Sequence, residues 1–183
     1  MRKVTAALFI SLDGVVEAPN RWQFDAFDDE MLAAMSQQLA VQDTVLLGRV
    51  TYEDWAPYWP TSTDEPFASY INHVPKYVFS TTLKKVDWRN ATLVHGPLAE
   101  TIASLKQQPG QTIGVAGSPT LVRSLLQEGL LDELLLMIHP VIAGTGKRLF
   151  TDGDPLRRLQ VVASQTTRAG VLNVTYRPHR DGA

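Results

Sequence analysis

The stretch from Thr112 to Phe150 limits what this chain can fold into more than any other. It opens with a short apolar run, Thr112-Ile113-Gly114-Val115-Ala116, of a length suited to a buried strand. In the Gly117-Ser118-Pro119 that follows, Ser118 fits an N-cap and Pro119 the first helical position. Leu121, Val122, Leu125 and Leu126 recur at helical spacing, and Gly129 is placed to end the helix in a left-handed cap. A second buried strand, Leu134 to Ile138, is stopped by His139-Pro140. Strand, helix and strand with short links imply a crossover between parallel strands. The turn at Gly117 is therefore expected at the carboxyl end of a strand, beside a helix N-terminus. Backbone N–H groups and the helix dipole favour an anion such as a phosphate there. Taken alone, the same turn reads as an ordinary helix start.

The flanking chain extends this pattern. Val4 to Ile10 is almost continuously apolar, as a strand covered on both faces would be. Ser11-Leu12-Asp13-Gly14 breaks it. Val15 to Asp25 reads as a loop with turn chemistry at Pro19-Asn20, and Trp22, Phe24 and Phe27 add aromatic bulk. Asp28-Asp29-Glu30 opens a helix with Met31, Met35 and Leu39 on one stripe. Acidic residues suit a first helical turn; the functional alternative is a carboxylate facing a pocket. A strand at Thr44 to Leu47 ends in Gly48-Arg49-Val50-Thr51. Gly48 allows close approach to the backbone, Arg49 suits a phosphate or a surface ion pair, and Thr51 suits a cap for a helix through Trp55. Trp55, Tyr58 and Trp59 read as core, or as the wall of a pocket. The strand Lys76 to Phe79 ends in Ser80-Thr81-Thr82, a polar turn or a further ligand contact. A short strand at Leu93-Val94 and a helix carrying Leu98, Ile102 and Leu105 lead into the opening stretch. Beyond His139-Pro140, the glycines of Gly144-Thr145-Gly146 suggest a tight loop, and Val161-Val162 and Val171 to Tyr176 form a hairpin around Ala169-Gly170. This order predicts an α/β fold with a central, mostly parallel sheet, an antiparallel C-terminal hairpin and helices on both faces. One domain over residues 1–183 is expected, with a frayed tail after about residue 178.

Much chemistry is absent. The net charge of -2 gives no attraction to nucleic acid or an anionic membrane, and no apolar run reaches the ~20 residues of a membrane span. With no cysteine there is neither disulfide nor thiolate. No signal-peptide pattern opens the chain, so a cytoplasmic protein is expected. In Gly144-Thr145-Gly146, Leu149 occupies the third glycine position of a dinucleotide fingerprint, and as a P-loop the segment has Val141 for the first glycine. His73, His95, His139 and His179 are scattered without metal-ligand spacing, so no metal is expected and none of the four is assigned a catalytic role.

Three strand ends thus carry phosphate-binding residue types, and open α/β sheets bind ligands at the carboxyl ends of their strands. The chain resembles the dihydrofolate reductase-like superfamily, in particular the C-terminal reductase domain of bacterial bifunctional deaminase-reductases of riboflavin biosynthesis. The blocks that carry the likeness are Ser11-Leu12-Asp13-Gly14, Leu47 to Glu53, Gly117-Ser118-Pro119, and Gly129 to Leu134 running on to His139-Pro140-Val141-Ile142-Ala143-Gly144-Thr145-Gly146. The resemblance spans Val4 to Tyr176. It implies a three-layer fold and a reductase using NADPH on a small heterocyclic molecule of pyrimidine or pterin type. By analogy Gly48, Arg49 and Thr51, with Ser80 and Thr81, would hold the adenosine ribose and its 2′-phosphate. Ala116, Gly117, Ser118 and Thr120 would hold the pyrophosphate. Asp13 and Gly14 would border the nicotinamide, where Trp22 and Asp28 or Asp29 would face the substrate. Relatives usually have two glycines where this chain has Ala116-Gly117, joined in folate reductases by a cis peptide. The alternatives are the phosphoribosylaminouracil reductase proper (with Arg21, Lys147 and Arg148 as cations for a ribose phosphate), dihydrofolate reductase activity, and a non-catalytic binding protein that keeps the fold. A homodimer is expected from the apolar strand Leu134 to Ile138 and the final hairpin.

Overall fold

A computed structural model describes residues 1–179. Eight strands form one sheet: β1 Val4–Ser11, β2 Gln42–Gly48, β3 Lys76–Phe79, β4 Ala91–Val94, β5 Thr112–Ala116, β6 Glu133–His139, β7 Leu159–Thr166 and β8 Leu172–Pro178. The order across the sheet is β4-β3-β2-β5-β1-β6-β8-β7. From β4 to β6 the ladders are parallel, and β8 and β7 close the row antiparallel. The five α-helices among the described residues are α1 Asp29–Ala40, α2 Arg49–Trp55, α3 Phe67–His73, α4 Leu98–Gln107 and α5 Pro119–Gln127.

Alternation along the central strands builds three layers. Leu46, Ala6, Val115 and Leu134 point to one side, where Ile102 and Leu105 of α4 and Leu121, Val122 and Leu125 of α5 cover them. Val45 and Leu47 point to the other side, against Tyr52 of α2 and Ile71 of α3. Phe9 and Met137 lie on that second side too, under Met31 of α1. Both faces of β1 are thus covered, which is why its sequence is apolar almost without interruption.

Three local expectations are corrected. Ser118 occupies the N-cap position of α5 but has φ 55° and makes no side-chain capping bond, because its hydroxyl turns back toward β2. Thr51 lies inside α2, whose N-cap is Gly48. Helix α3 has no counterpart in the sequence reading; it is short, lacks a capping side chain, and holds together by burying Ala68 and Ile71. The segment read as a loop, Val15 to Asp25, holds a single 3-10 turn at Pro19–Arg21 and the start of another, Phe24–Ala26. Strand β8 ends at Pro178, and most of the tail expected to fray lies outside the described residues.

Candidate active site

Parallel strands deliver their carboxyl ends to one edge of the sheet, and the candidate residues gather there in two groups. The first is built from β2, β3 and β5. The Gly48 N–H donates to Ser118 Oγ at 2.8 Å, although the two residues are 70 apart in sequence. The Ser118 N–H donates to Thr51 Oγ1 at 3.0 Å, and Ser118 Oγ lies 2.9 Å from Thr51 Oγ1 and 3.0 Å from the Ala116 carbonyl. The hydroxyls of Thr51 and Ser118 are therefore occupied in locking β5 to α2. Gly117 has φ +53°, and a Cβ there would come within 3.1 Å of Thr51 Cγ2, so this turn requires glycine. At Gly48 the backbone is extended, and a Cβ would make ordinary contact with Ser118 at 3.5 Å. The fold itself does not demand glycine at that position. Among the described residues the cis peptide is Glu65–Pro66, so Ala116–Gly117 is trans.

Around this lock sit the groups left to face outward. Arg49 is half-exposed and pairs with Glu53 one helical turn on, at 2.6 Å. Ser80 follows Phe79, which is paired with Gly48; Ser80 Oγ accepts the N–H groups of Thr82 and Leu83, and Thr81 is exposed. Thr120 is exposed in the first turn of α5, where N–H groups have no intrahelical acceptor.

The second group surrounds the ends of β1 and β6. The Asp13 carboxylate accepts from Ser11 Oγ at 2.7 Å, the Ala143 N–H at 2.9 Å and the Gly144 N–H at 3.0 Å. These bonds, the Ser11 hydroxyl foremost, pull its pKa from 3.8 down to about 2. Arg148 adds an exposed ion pair at 3.6 Å and donates through Nε to the Asp13 carbonyl. Gly14, with φ +86°, turns the chain so that Val15 bridges to Arg148. The glycines of 144 and 146 thus serve to dock this loop on the exit of β1: a Cβ on Gly146 would fall 2.7 Å from Val15 Cγ1. Trp22 is buried, donates Nε1–H to the Glu17 carbonyl at 3.0 Å, and meets the His139 ring edge-on at 5.5 Å. Asp28 is the N-cap of α1, accepting the Met31 N–H at 3.0 Å, and Asp29 is exposed on the first turn.

Between the two groups the sheet parts. The β1–β5 ladder stops at Ala7–Ala116, while β1 runs on to Ser11 paired only with β6. Four residues of β1 therefore lack a strand neighbour on the β5 side. A polar concavity of about 800 Å³ lies at the opposite, amino-terminal edge beside Arg2 and Gly110. The Arg2 guanidinium there is committed to Asp43, Thr44, Leu105 and Gln111. Among the described residues no cluster of three or more His, Asp or Glu side chains is arranged to hold a metal, and no helix is long and apolar enough to cross a membrane.

His139 was passed over in the sequence and is a substantial feature of the site. It is 1 % exposed, lies opposite Ser11 in the β1–β6 ladder, and neither ring nitrogen has a partner. The available signal was its position as the last residue of a strand that must run parallel to β1, which puts it at the same rim.

The chain is 31% identical over 180 residues to the uncharacterized protein YyaP of Bacillus subtilis strain 168, covering 96% of this chain and 94% of that one. Its fold matches the crystal structure of a protein of Shewanella sp. PV-4, provisionally assigned to riboflavin biosynthesis, with TM-score 0.75 and 22% identity over 97% of this chain and 99% of that one. The match to dihydrofolate reductase of Enterococcus faecalis, solved with NADP(H), has TM-score 0.63 and 13% identity over 97% of each chain. The fold is that of the dihydrofolate reductase-like superfamily. A family model described as the RibD C-terminal domain matches residues 2–173, and this chain belongs to that family.

Proposed function

We propose that this chain is an NADPH-dependent reductase of a small planar heterocycle of pyrimidine or pterin type. The observation that carries the reading is the lock at the rim, where Gly48, Ser118 and Thr51 are hydrogen-bonded across three elements. It holds Gly48, the residue before Arg49, against the N-cap residue of the nine-residue helix α5. Family membership supports the same reading, as does the likeness to a reductase solved with NADP(H).

The residues present fit the cofactor. Glycine at 48 is not needed by the fold, which is consistent with a ligand approaching its backbone. Arg49, with Gly48, Ser80 and Thr81, would take the adenosine ribose and its 2′-phosphate; the Glu53 pair that Arg49 would leave is exposed and weak. The Ala116-Gly117 turn and the first turn of α5 at Thr120 would take the pyrophosphate. Thr51 and Ser118 would hold that turn in shape. Asp13 and Gly14 would border the nicotinamide at the parting between β1 and β5. Asp13 stays ionised at neutral pH, so it would act by holding the 143–144 loop in place and not by donating a proton. Trp22, with Asp28 or Asp29 beyond it, would flank the substrate. NADPH supplies a hydride when bound, and the protein's part is to position the reactants and exclude water.

Of the three cations suited to a substrate ribose phosphate, Lys147 pairs with Glu17 and Arg148 with Asp13. Both pairs are exposed, like that of Arg49, and Arg21 is exposed, so complementation of a riboflavin auxotroph is the measurement that separates an unphosphorylated heterocycle from the phosphoribosyl substrate. The decisive test is thermal shift. NADPH at 100 times its Kd should stabilise the chain by ~2.7 kcal/mol, and Arg49→Ala should bring NADPH down to the affinity of NADH. No shift with millimolar NADPH or NADP+ would refute the proposal; equal binding of NADPH and NADH by the wild type would refute the 2′-phosphate assignment.

A further inference from the structure

The side of the sheet beneath α1 is apolar, built from Phe9, Met137, Met31 and Val171. Phe9 is paired with Met137, Ser11 with His139 and Met137 with Asn173, so the side chains of Met137, His139 and Asn173 share this face. Two residues on this face have buried polar atoms without a partner: both nitrogens of His139 and Oδ1 of Asn173. Buried polar atoms are nearly always hydrogen-bonded, so such a group marks a missing partner. The His139 ring meets Phe9 edge-on at 5.7 Å and Trp22 at 5.5 Å. Burial lowers its pKa, which favours the neutral imidazole with one donor and one acceptor. The carboxylates at the start of α1 are engaged elsewhere or exposed: Asp28 caps the helix, Asp29 is exposed and Glu30 pairs with Arg168.

Trp22 covers the imidazole and is tethered by one hydrogen bond to Glu17, on a segment where Arg21 and Phe24 are exposed. We propose that His139 is a substrate-recognition residue: when Trp22 swings aside, one imidazole nitrogen accepts a ring N–H of a neutral lactam seated against this face of the sheet. Asn173 Oδ1 accepts a second ring N–H. This inference rests on the reductase reading and narrows it to neutral oxo-heterocycles, as opposed to cationic diamino rings, which need a carboxylate.

The probes are lumazine, which has two lactam N–H groups, and 1,3-dimethyllumazine, which has none. In nitrogen-15-labelled wild-type protein, lumazine should move the His139 ring-nitrogen resonances and 1,3-dimethyllumazine should not. His139→Phe should weaken lumazine binding about tenfold, the loss expected for an unpaired hydrogen bond, and leave the dimethyl compound unaffected. His139 resonances that lumazine leaves unmoved would overturn the proposal. Lumazine binding equally tightly to the wild type and to the His139→Phe variant would overturn it as well. NADPH fluorescence read in the same samples separates the two levels. Wild-type protein that fails to bind NADPH sinks the reductase reading, whereas bound NADPH with an indifferent His139 sinks only the role of this residue.

Discussion

Asp13 gathers donors from two places in the chain, its own turn at Ser11 and the backbone of Ala143 and Gly144. Its pKa falls from 3.8 to about 2, so the folded state prefers the ionised form. For a carboxyl with a depressed folded pKa, the stabilisation is complete above the unfolded value and is lost as pH falls through the folded one. Docking of the 141–148 loop should therefore hold at neutral pH and loosen between about pH 4 and pH 2. Hydrogen exchange at Ala143 and Gly144 measures it directly. Asp13→Asn, which removes one acceptor oxygen and the charge, should speed exchange at both amides at pH 7; unchanged rates would show that the loop is held by other contacts. At this scale the sequence marked Asp13, Gly14, Gly117 and Ser118 as special, because glycine, serine and aspartate signal turns by their type. It assigned Ser118 and Thr51 to capping, since a hydroxyl's partner 67 residues away cannot be read from its neighbours.

Among the elements, β3 and α3 are joined by a lysine that sequence reasoning treated only as a strand's first residue. Lys76 is wholly buried; its Nζ donates to the carbonyls of Ile71 at 2.7 Å and Val74 at 2.9 Å, and sits 4.7 Å over the Trp88 ring. It satisfies carbonyls at the end of α3, a helix with no capping side chain at its start. Burial first, and the nearby Arg89 charge second, lower its pKa from 10.5 to about 8. The sign here is that of a base depressed on folding. The cost of burying the charge is greatest below pH 8, and stability rises as pH climbs from 8 toward 10.5. Urea midpoints should increase over that window in the wild type, and Lys76→Met should flatten the increase. Parallel slopes for the two proteins would refute the assignment. Elements with strong periodicity, α5 and β5 above all, were legible with their boundaries. Helix α3 was not, because its seven residues carry too little pattern and it owes its existence to the pocket it fills.

Across the whole molecule, the sheet ends on one side in β7, which has β8 as its one strand neighbour and exposes seven of its eight residues, Val161 and Val162 among them. An uncovered edge of this kind invites pairing with another chain. A homodimer through the β7–β8 hairpin is the expected state. Sedimentation velocity at micromolar concentration should give twice the chain mass, and Val161→Lys with Val162→Lys should halve it; a wild-type monomer would count against the pairing. The layer architecture is legible in the chain, because alternating apolar runs and helical stripes with short links admit few arrangements, and so are the strand ends where ligands bind in such sheets. Which of those ends meet follows from the folded arrangement alone. The order β2-β5-β1-β6 brings Gly48 to Ser118 and parts β1 from β5, and it buries His139 beside Ser11 with no partner for its ring. The physical reason is that periodicity reports which face a residue takes, whereas contact between distant segments depends on strand order and register, which local pattern does not encode.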